Sequence, residues 1–279
     1  SPKLDGIRCV ILDAGALTRN LKLVPNRHIR SELFKTRMEF VDGELIVGEP
    51  TGNDVMNRTA SGVMSADGTP DWTYWVFDCF ADPKLSFQHR YEDACRLVNS
   101  LKHPRIKMVQ HTNLATDQLH SYADRMLAKG YEGIMLRAPH MPYKFGRSTA
   151  KEGGLLKYKV FEDAEATVIG ATELLHNANE QTRDELGRAK RSKRKAGFQP
   201  TGKLGNLVCE FKGVQFEIGT GFDDAQRHLL WSNHKAGRNF LPVKFKFQGL
   251  TPDGVPRFPV FLGFRDPADM DRPSKKRQY

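Results

Sequence analysis

Near Asp163 the chain changes texture, and that change divides it into two regions of different architecture. Before it, runs rich in aromatic and β-branched residues read as strands: Arg8–Leu12 (RCVIL), Glu39–Val47 (EFVDGELIV) and Trp72–Phe80 (WTYWVFDCF). Phe87, Tyr91, Ala94, Val98 and Leu101 recur at helical spacing. Leu119, Tyr122, Met126 and Leu127 do the same and stop at Gly130, where a helix would end. Two more strands follow at Gly133–Arg137 and Leu155–Val160. After Asp163 short strands dominate: Ala164–Ala171, Asn206–Phe211, Val214–Ile218, Pro242–Gln248 and Pro259–Phe264. One helix is predicted at Asp223–Trp231, capped by Asp223. Five short strands with glycine-rich turns predict a small closed or partly open barrel. The fold class is therefore α+β, with mixed and antiparallel sheets over residues 1–162 and a small β-barrel over 163–279. The stretch His176–Pro200 interrupts the second pattern. It has almost no large apolar residue, and six of the eight residues of Arg188–Lys195 (RAKRSKRK) are basic.

Charge narrows the function classes. The net charge is +10, and both halves share it: 23 basic against 18 acidic residues up to residue 160, then 20 against 15. A positive excess spread over the whole chain suits a protein that embraces a polyanion, the alternative being a merely basic soluble protein. No apolar run approaches the ~18 residues of a membrane span, so no membrane partner is expected. The four cysteines, Cys9, Cys79, Cys95 and Cys209, form no CxxC pair. That argues against a zinc site and for reduced thiols, with a cytoplasmic or nucleoid-associated location expected.

The chemistry lies in short motifs. Lys3-Leu4-Asp5-Gly6 places an amine at a tight turn entering a strand. Such an amine attacks only when neutral, so burial or cationic neighbours must assist it. Downstream come Asp42-Gly43-Glu44, then Val76-Phe77-Asp78, then Glu132-Gly133-Ile134-Met135-Leu136-Arg137, and finally Lys157-Tyr158-Lys159. In a strand, Lys157 and Lys159 point to one face. Two ammonium groups there suit a triphosphate and would depress the pKa of a third lysine nearby.

This ordered set, KxDGxR, DGE, aromatic-Asp, EGhhhR and KxK, resembles that of the covalent nucleotidyltransferases: ATP-dependent DNA ligases, RNA ligases and mRNA capping enzymes. The second region resembles the oligonucleotide-binding (OB) barrel of DNA ligases through Gly202–Leu207, Phe216–Phe222 and Pro256–Phe261. Phe161–Val168 and Tyr143–Thr149 are similar to the small viral ligases of the chlorovirus type. The resemblance implies a two-domain, minimal ATP-dependent DNA ligase: a nucleotidyltransferase domain at 1–162 and an OB domain at 163–279. The basic insertion at about 176–200 falls where those enzymes carry a DNA-encircling latch.

The resemblance also implies roles. Lys3 would attack the α-phosphate of ATP, expel pyrophosphate and carry AMP covalently. Asp5 and Gly6 would shape its turn, while Arg8 and Glu44 would hold the ribose hydroxyls. Phe77 would stack on adenine, unless it is ordinary core, with Met135 closing the opposite face. Glu132 would stand beside the α-phosphate and a Mg2+ (or Mn2+) ion, with Asp42 assisting. Lys157 and Lys159 would cradle phosphates, and Arg147 would contact nucleotide or nick phosphate. Arg19, in Leu17-Thr18-Arg19-Asn20, falls where the family grips the nick's 5′-phosphate, although Asn20 departs from the usual residue. Arg188, Lys190, Arg191, Lys193, Arg194 and Lys195 would bind DNA backbone without reading sequence.

The implied substrate is a 3′-hydroxyl/5′-phosphate nick in duplex DNA. It would be sealed by a monomer able to encircle DNA, whose barrel domain moves between steps. Relatives carry a strand or more before the nucleophile, where only Ser1 and Pro2 stand here, so an upstream segment is expected to complete the adenine pocket. The last family motif is open between Arg265 with Asp269 and Asp271 with Arg272. RNA ligase, capping enzyme and a catalytically inactive nucleic-acid-binding relative are the rival readings. The barrel signatures and the basic insertion oppose the first two, and an intact Lys3, Glu44, Glu132, Lys157 and Lys159 set opposes the third.

Overall fold

The structure, a computed structural model, describes residues 1–184 and 186–265. The chain splits into two compact units, Ser1–Lys159 and Val160–Tyr279. No helix among the described residues is long and apolar enough to cross a membrane.

The first unit is built on β1 (Ile7–Leu12), β2 (Gly15–Thr18), α1 (Arg27–Lys35), β3 (Val41–Val47), α2 (Val55–Met64), β4 (Trp72–Cys79), α3 (Phe87–Leu101) and β5 (Ile106–Met108). The strands form one sheet in the order β2-β1-β3-β4-β5, antiparallel except for β4 with β5. Alternation divides its side chains between two faces. Cys9, Ile11, Val41, Leu45, Trp72, Tyr74 and Val76 pack with Ile29 and Leu33 of α1, Val63 of α2, and Ala94 and Val98 of α3. Arg8, Asp42, Glu44, Trp75 and Phe77 have the opposite parity and stay out of that core. This second face positions the site.

The unit continues with α4 (Leu119–Ala128), β6 (Ile134–Arg137) and β7 (Leu155–Tyr158). The last two make an antiparallel pair with Ile134 opposite Tyr158 and Met135 opposite Lys157. Ile134, Leu136 and Tyr158 pack against Tyr122, Ala123 and Met126 of α4. Parity therefore turns Met135, Arg137 and Lys157 the other way.

In the second unit β8 (Glu162–Asn177), β9 (Gln181–Arg183), β10 (Ala189–Arg191), β11 (Phe198–Phe211), β12 (Val214–Ile218), α5 (Asp224–Lys235), β13 (Val243–Phe247) and β14 (Val260–Phe264) follow in turn. The main sheet runs β12-β11-β8-β13-β14. Its two edges meet beyond β12, where Thr220 bridges Val260 and accepts a 2.9 Å hydrogen bond from the Phe261 amide. Gly221 permits this approach, because a Cβ there would lie 2.3 Å from the Phe261 carbonyl oxygen. Leu204, Leu207, Phe216, Ile218, Phe245 and Phe261 fill the interior, and Leu230 of α5 packs on it. Asp223 caps α5 as expected, its side chain accepting from the Gln226 amide.

The basic insertion does not interrupt the sheet. The strands β8 and β11 are far longer than their apolar cores suggested and stay paired out to Asn177 opposite Phe198. The small β9–β10 hairpin crowns that ribbon. A two-stranded ribbon has no core to face, which explains its lack of large apolar side chains.

Candidate active site

Three backbone features bring the motif residues of the first unit together. Gly6 enters β1 so close to β3 that a Cβ would lie 2.4 Å from the Leu45 carbonyl oxygen and 2.4 Å from Ile46 Cδ1. Only glycine fits, which is the physical content of the Asp-Gly turn. The Lys3 amide donates to the Gly133 carbonyl at 2.9 Å, and Pro2 bridges Ile134, so the lysine segment is pinned along β6. Gly133, at φ +150°, lets β6 approach β7, since a Cβ would meet the Tyr158 carbonyl oxygen at 2.3 Å. Glu132 and Lys159 thus flank the same end of the β6–β7 pair.

The centre is an ion triad. Lys3 Nζ donates to Glu132 Oε2 and Lys159 Nζ to Glu132 Oε1. These side chains are only 16%, 10% and 20% exposed for Lys3, Glu132 and Lys159 respectively. Burial acts to raise the Glu132 pKa, but hydrogen bonds from Lys159 and Lys3 overcome it and hold the carboxylate below its ordinary range. The pKa of Lys157 is lowered by partial burial and by the charges of Lys3, Lys159 and Arg19, against Glu132. Arg19 follows β2 on an exposed turn, and its effect on Lys157 brings it into the electrostatic reach of this cluster. Four cations and one carboxylate form a field suited to a polyphosphate.

The second sheet face supplies the wall. Glu44 is half-buried, and burial pushes its pKa up to about 8, although Lys3, Arg8 and the Gly6 amide pull it down. Phe77 is half-buried and outside the core cluster. The Arg137 guanidinium lies 5.2 Å from its ring centroid. Met135 is also half-buried, beside Lys157 in register. Arg147 stands exposed in the loop between β6 and β7.

Two of the expected site residues are paired with each other. Asp42, read as assisting at a metal, is buried and accepts from Arg8, through Arg8 Nε at 2.9 Å and Nη2 at 2.6 Å. Tyr143 completes this clamp, donating its hydroxyl to Asp42 at 2.9 Å and accepting from Arg8 at 3.2 Å. Arg8, read as a ribose ligand, is therefore already engaged by a carboxylate. Among the described residues no group of three or more His, Cys, Asp or Glu could hold a metal ion.

Sequence reasoning missed Arg90. It is 2% exposed on α3 and bonds Asp78 through Nε at 2.9 Å and Nη2 at 3.2 Å. Arg137 reaches the same carboxylate at 2.5 Å, so the aromatic-Asp strand and the EGhhhR arginine are one network. A signal existed: Arg90 falls on the apolar stripe of Phe87, Tyr91, Ala94 and Val98, where a charge needs a buried counter-charge.

In the second unit Arg188, Lys190, Arg191, Lys193, Arg194 and Lys195 are all exposed, on and around β10. Arg191 donates to the Asn179 carbonyl and, at 3.2 Å, to Gln181 Oε1, so it also fastens the hairpin. Arg265 pairs with Glu165, while Asp269, Asp271 and Arg272 lie outside the described residues.

Comparison with known proteins gives consistent matches. Residues 2–159 match the family model described as ATP dependent DNA ligase domain, and residues 198–265 the one described as DNA ligase OB-like domain. The crystal structure of Chlorella virus DNA ligase-adenylate is 33% identical over 95% of this chain and 91% of that chain, with a TM-score of 0.50. A structure from work on Lig E DNA ligases is 28% identical over 95% of this chain and 91% of that one, with a TM-score of 0.70. No curated protein sequence matches.

Proposed function

The chain belongs to the ATP-dependent DNA ligases, and on that premise we propose how its own residues join 3′-hydroxyl and 5′-phosphate ends at a nick. The nucleotide is ATP, and AMP is the group carried covalently. One observation carries the assignment of the nucleophile: the Lys3 amine lies on Glu132, with Lys159 on the other carboxylate oxygen and Lys157 on the adjoining strand.

In the first step the Lys3 amine, having given a proton to solvent, attacks the α-phosphorus. The N–P bond forms as the bond to the bridging oxygen breaks and pyrophosphate leaves. Lys157 and Lys159 stabilise the charge that grows on the phosphoryl oxygens. In the second step the nick's 5′-phosphate oxygen displaces Lys3 and takes AMP. In the third the neighbouring 3′-hydroxyl attacks that phosphate, expelling AMP and closing the backbone. Arg19, close enough to act on Lys157, is the candidate 5′-phosphate ligand.

Glu44 holds the ribose, while Phe77, backed by Arg137, offers its ring to adenine and Met135 lies on the opposite side. Arg147 meets phosphate. Magnesium needs only one or two carboxylates when it arrives with substrate phosphates, so Glu132 fits it and would share it with ATP, neutralising phosphate charge. Manganese would serve alike. Asp42, paired with Arg8, is the second carboxylate that could assist. The exposed cations of the β9–β10 ribbon support DNA-backbone contact, and we read the chain as a monomer able to encircle the duplex.

Intact mass after incubation with ATP and magnesium tests the first step. A gain of one AMP is expected with ATP, not with GTP and not in Lys3→Ala. A pyrophosphate chase removes AMP from enzyme that arrives already adenylylated. Nick sealing from ATP by Lys3→Ala would refute the nucleophile.

A further inference from the structure

The loop between β6 and β7 leaves at the surface an aromatic group that the nucleotide chemistry does not use. Tyr143 lies flat on Phe80, with centroids 4.5 Å and planes 18° apart. Phe145 turns its edge to both, at 5.1 Å from Tyr143 and 6.0 Å from Phe80. Phe40 meets Phe80 at a near right angle, with centroids 6.0 Å apart. Phe80 is buried, but Phe40 is 40% and Phe145 66% exposed. Scattered exposed apolar residues need no explanation, whereas four rings packed into one ledge with two outer members facing water do. Phe40 is also held at φ +58°, a left-handed backbone that bulky residues seldom adopt.

Position and charge indicate the occupant. The ledge adjoins the sheet face that carries Glu44 and Phe77, because the Tyr143 hydroxyl completes the clamp between Asp42 and Arg8 of that face. Lys144, Arg147 and Lys151 share its loop and are exposed, with Lys144 paired to Glu152. Exposed rings among cations are what an unpaired nucleotide requires: the base stacks on a π-face while its phosphates meet positive charge, without regard to sequence.

We propose that Phe40, Phe80, Tyr143 and Phe145 form a stacking ledge for an unpaired nucleobase of a DNA strand, with Lys144, Arg147 and Lys151 meeting its phosphates. A flap, a frayed end or a short overhang would present such a base. The proposal rests on the reading of the chain as acting on DNA but not on the lysine chemistry, so the two can fail separately.

The test uses the full chain without ATP and follows fluorescence anisotropy of labelled short oligo(dT), a flush nicked duplex and the same duplex with a one-nucleotide flap. Phe145→Ala should bind oligo(dT) and the flapped duplex about tenfold more weakly, the loss of one stacked base. Flush-nick affinity, lysyl-AMP formation and thermal stability should stay at wild-type values. Phe145→Trp should restore the lost binding. Oligo(dT) affinity unchanged in Phe145→Ala would overturn the ledge. So would an equal loss on flush and flapped duplexes, which would make Phe145 an ordinary duplex contact. Absence of lysyl-AMP in the wild type would instead strike the catalytic reading alone.

Discussion

Asp78→Ala should be among the most damaging substitutions in the first unit, although Asp78 touches no substrate in the proposed chemistry. Its carboxylate is fully buried and accepts three hydrogen bonds, two from Arg90 and one from Arg137. The Arg90 side chain is 3% exposed and that of Arg137 13%, so neither guanidinium can turn to water for compensation. Removing one partner of a buried pair costs about 3–5 kcal/mol, because the other charge is left unpaired. Arg90 keeps the Leu85 and Met141 carbonyls as acceptors, which places the expected loss near the lower end, about 3 kcal/mol. For a domain of this size that corresponds to a fall in Tm of roughly 6–12 °C. Asp71→Ala is the control, since the Asp71–Arg105 pair has side chains 80% and 40% exposed and should contribute under about 1 kcal/mol. Both variants would be melted by circular dichroism and unfolded in urea. Below its melting point Asp78→Ala should also show a raised apparent KM for ATP in lysyl-AMP formation, because Arg137 would no longer be fixed over Phe77. A loss no larger than that of Asp71→Ala would refute the buried-pair reasoning.

Two further outcomes follow from the same geometry. The Glu44 carboxyl has a folded pKa raised by burial to about 8, so the folded state holds its proton where the unfolded chain has lost it. Its contribution to stability is therefore full below the ordinary carboxylate range and is lost as pH rises toward 8. Glu44→Gln should gain in Tm relative to wild type as pH climbs from acidic to mildly alkaline; a difference that does not change with pH would be against this. Neutralising Arg188, Lys190, Lys193, Arg194 and Lys195, and sparing Arg191 for its hairpin bonds, should make the plot of log affinity against log salt less steep, by about 0.9 for each DNA phosphate that is no longer neutralised. Lysyl-AMP formation should persist, and an unchanged slope on nicked DNA would reduce the run to a solvated surface.

How much of this was legible in the sequence depended on whether a residue's surroundings lay in its own pattern. The α3 stripe was readable because Phe87, Ala94 and Val98 are apolar, regularly spaced and buried on one side. The strand β4 was readable too, and its alternation already separates Trp72, Tyr74 and Val76 from Thr73, Trp75 and Phe77. The helices α1 and α2 were not. The first buries only Ile29 and Leu33 while leaving Phe34 73% exposed, and the second buries Val55, Thr59 and Val63, with a threonine in mid-stripe. Such stripes are too short to rise above composition, and packing against the sheet decides them. The same distinction runs through the site. The order of the motifs brought Lys3, Glu132 and Lys159 forward, and the pinning of Lys3 to Gly133 joins them across 129 residues of chain. Order could not show that Asp42 would be consumed by Arg8 and Tyr143, because a carboxylate beside a glycine reads alike whether it faces a metal or a guanidinium. A charged residue on a buried stripe is different: Arg90 had to have a partner, and the nearest motif acid without a catalytic task was Asp78. On the proposed chemistry the functional motifs of this chain are therefore of two kinds, those that meet the nucleotide and those that hold the first kind still, and it is the second that helical and strand periodicity can recover.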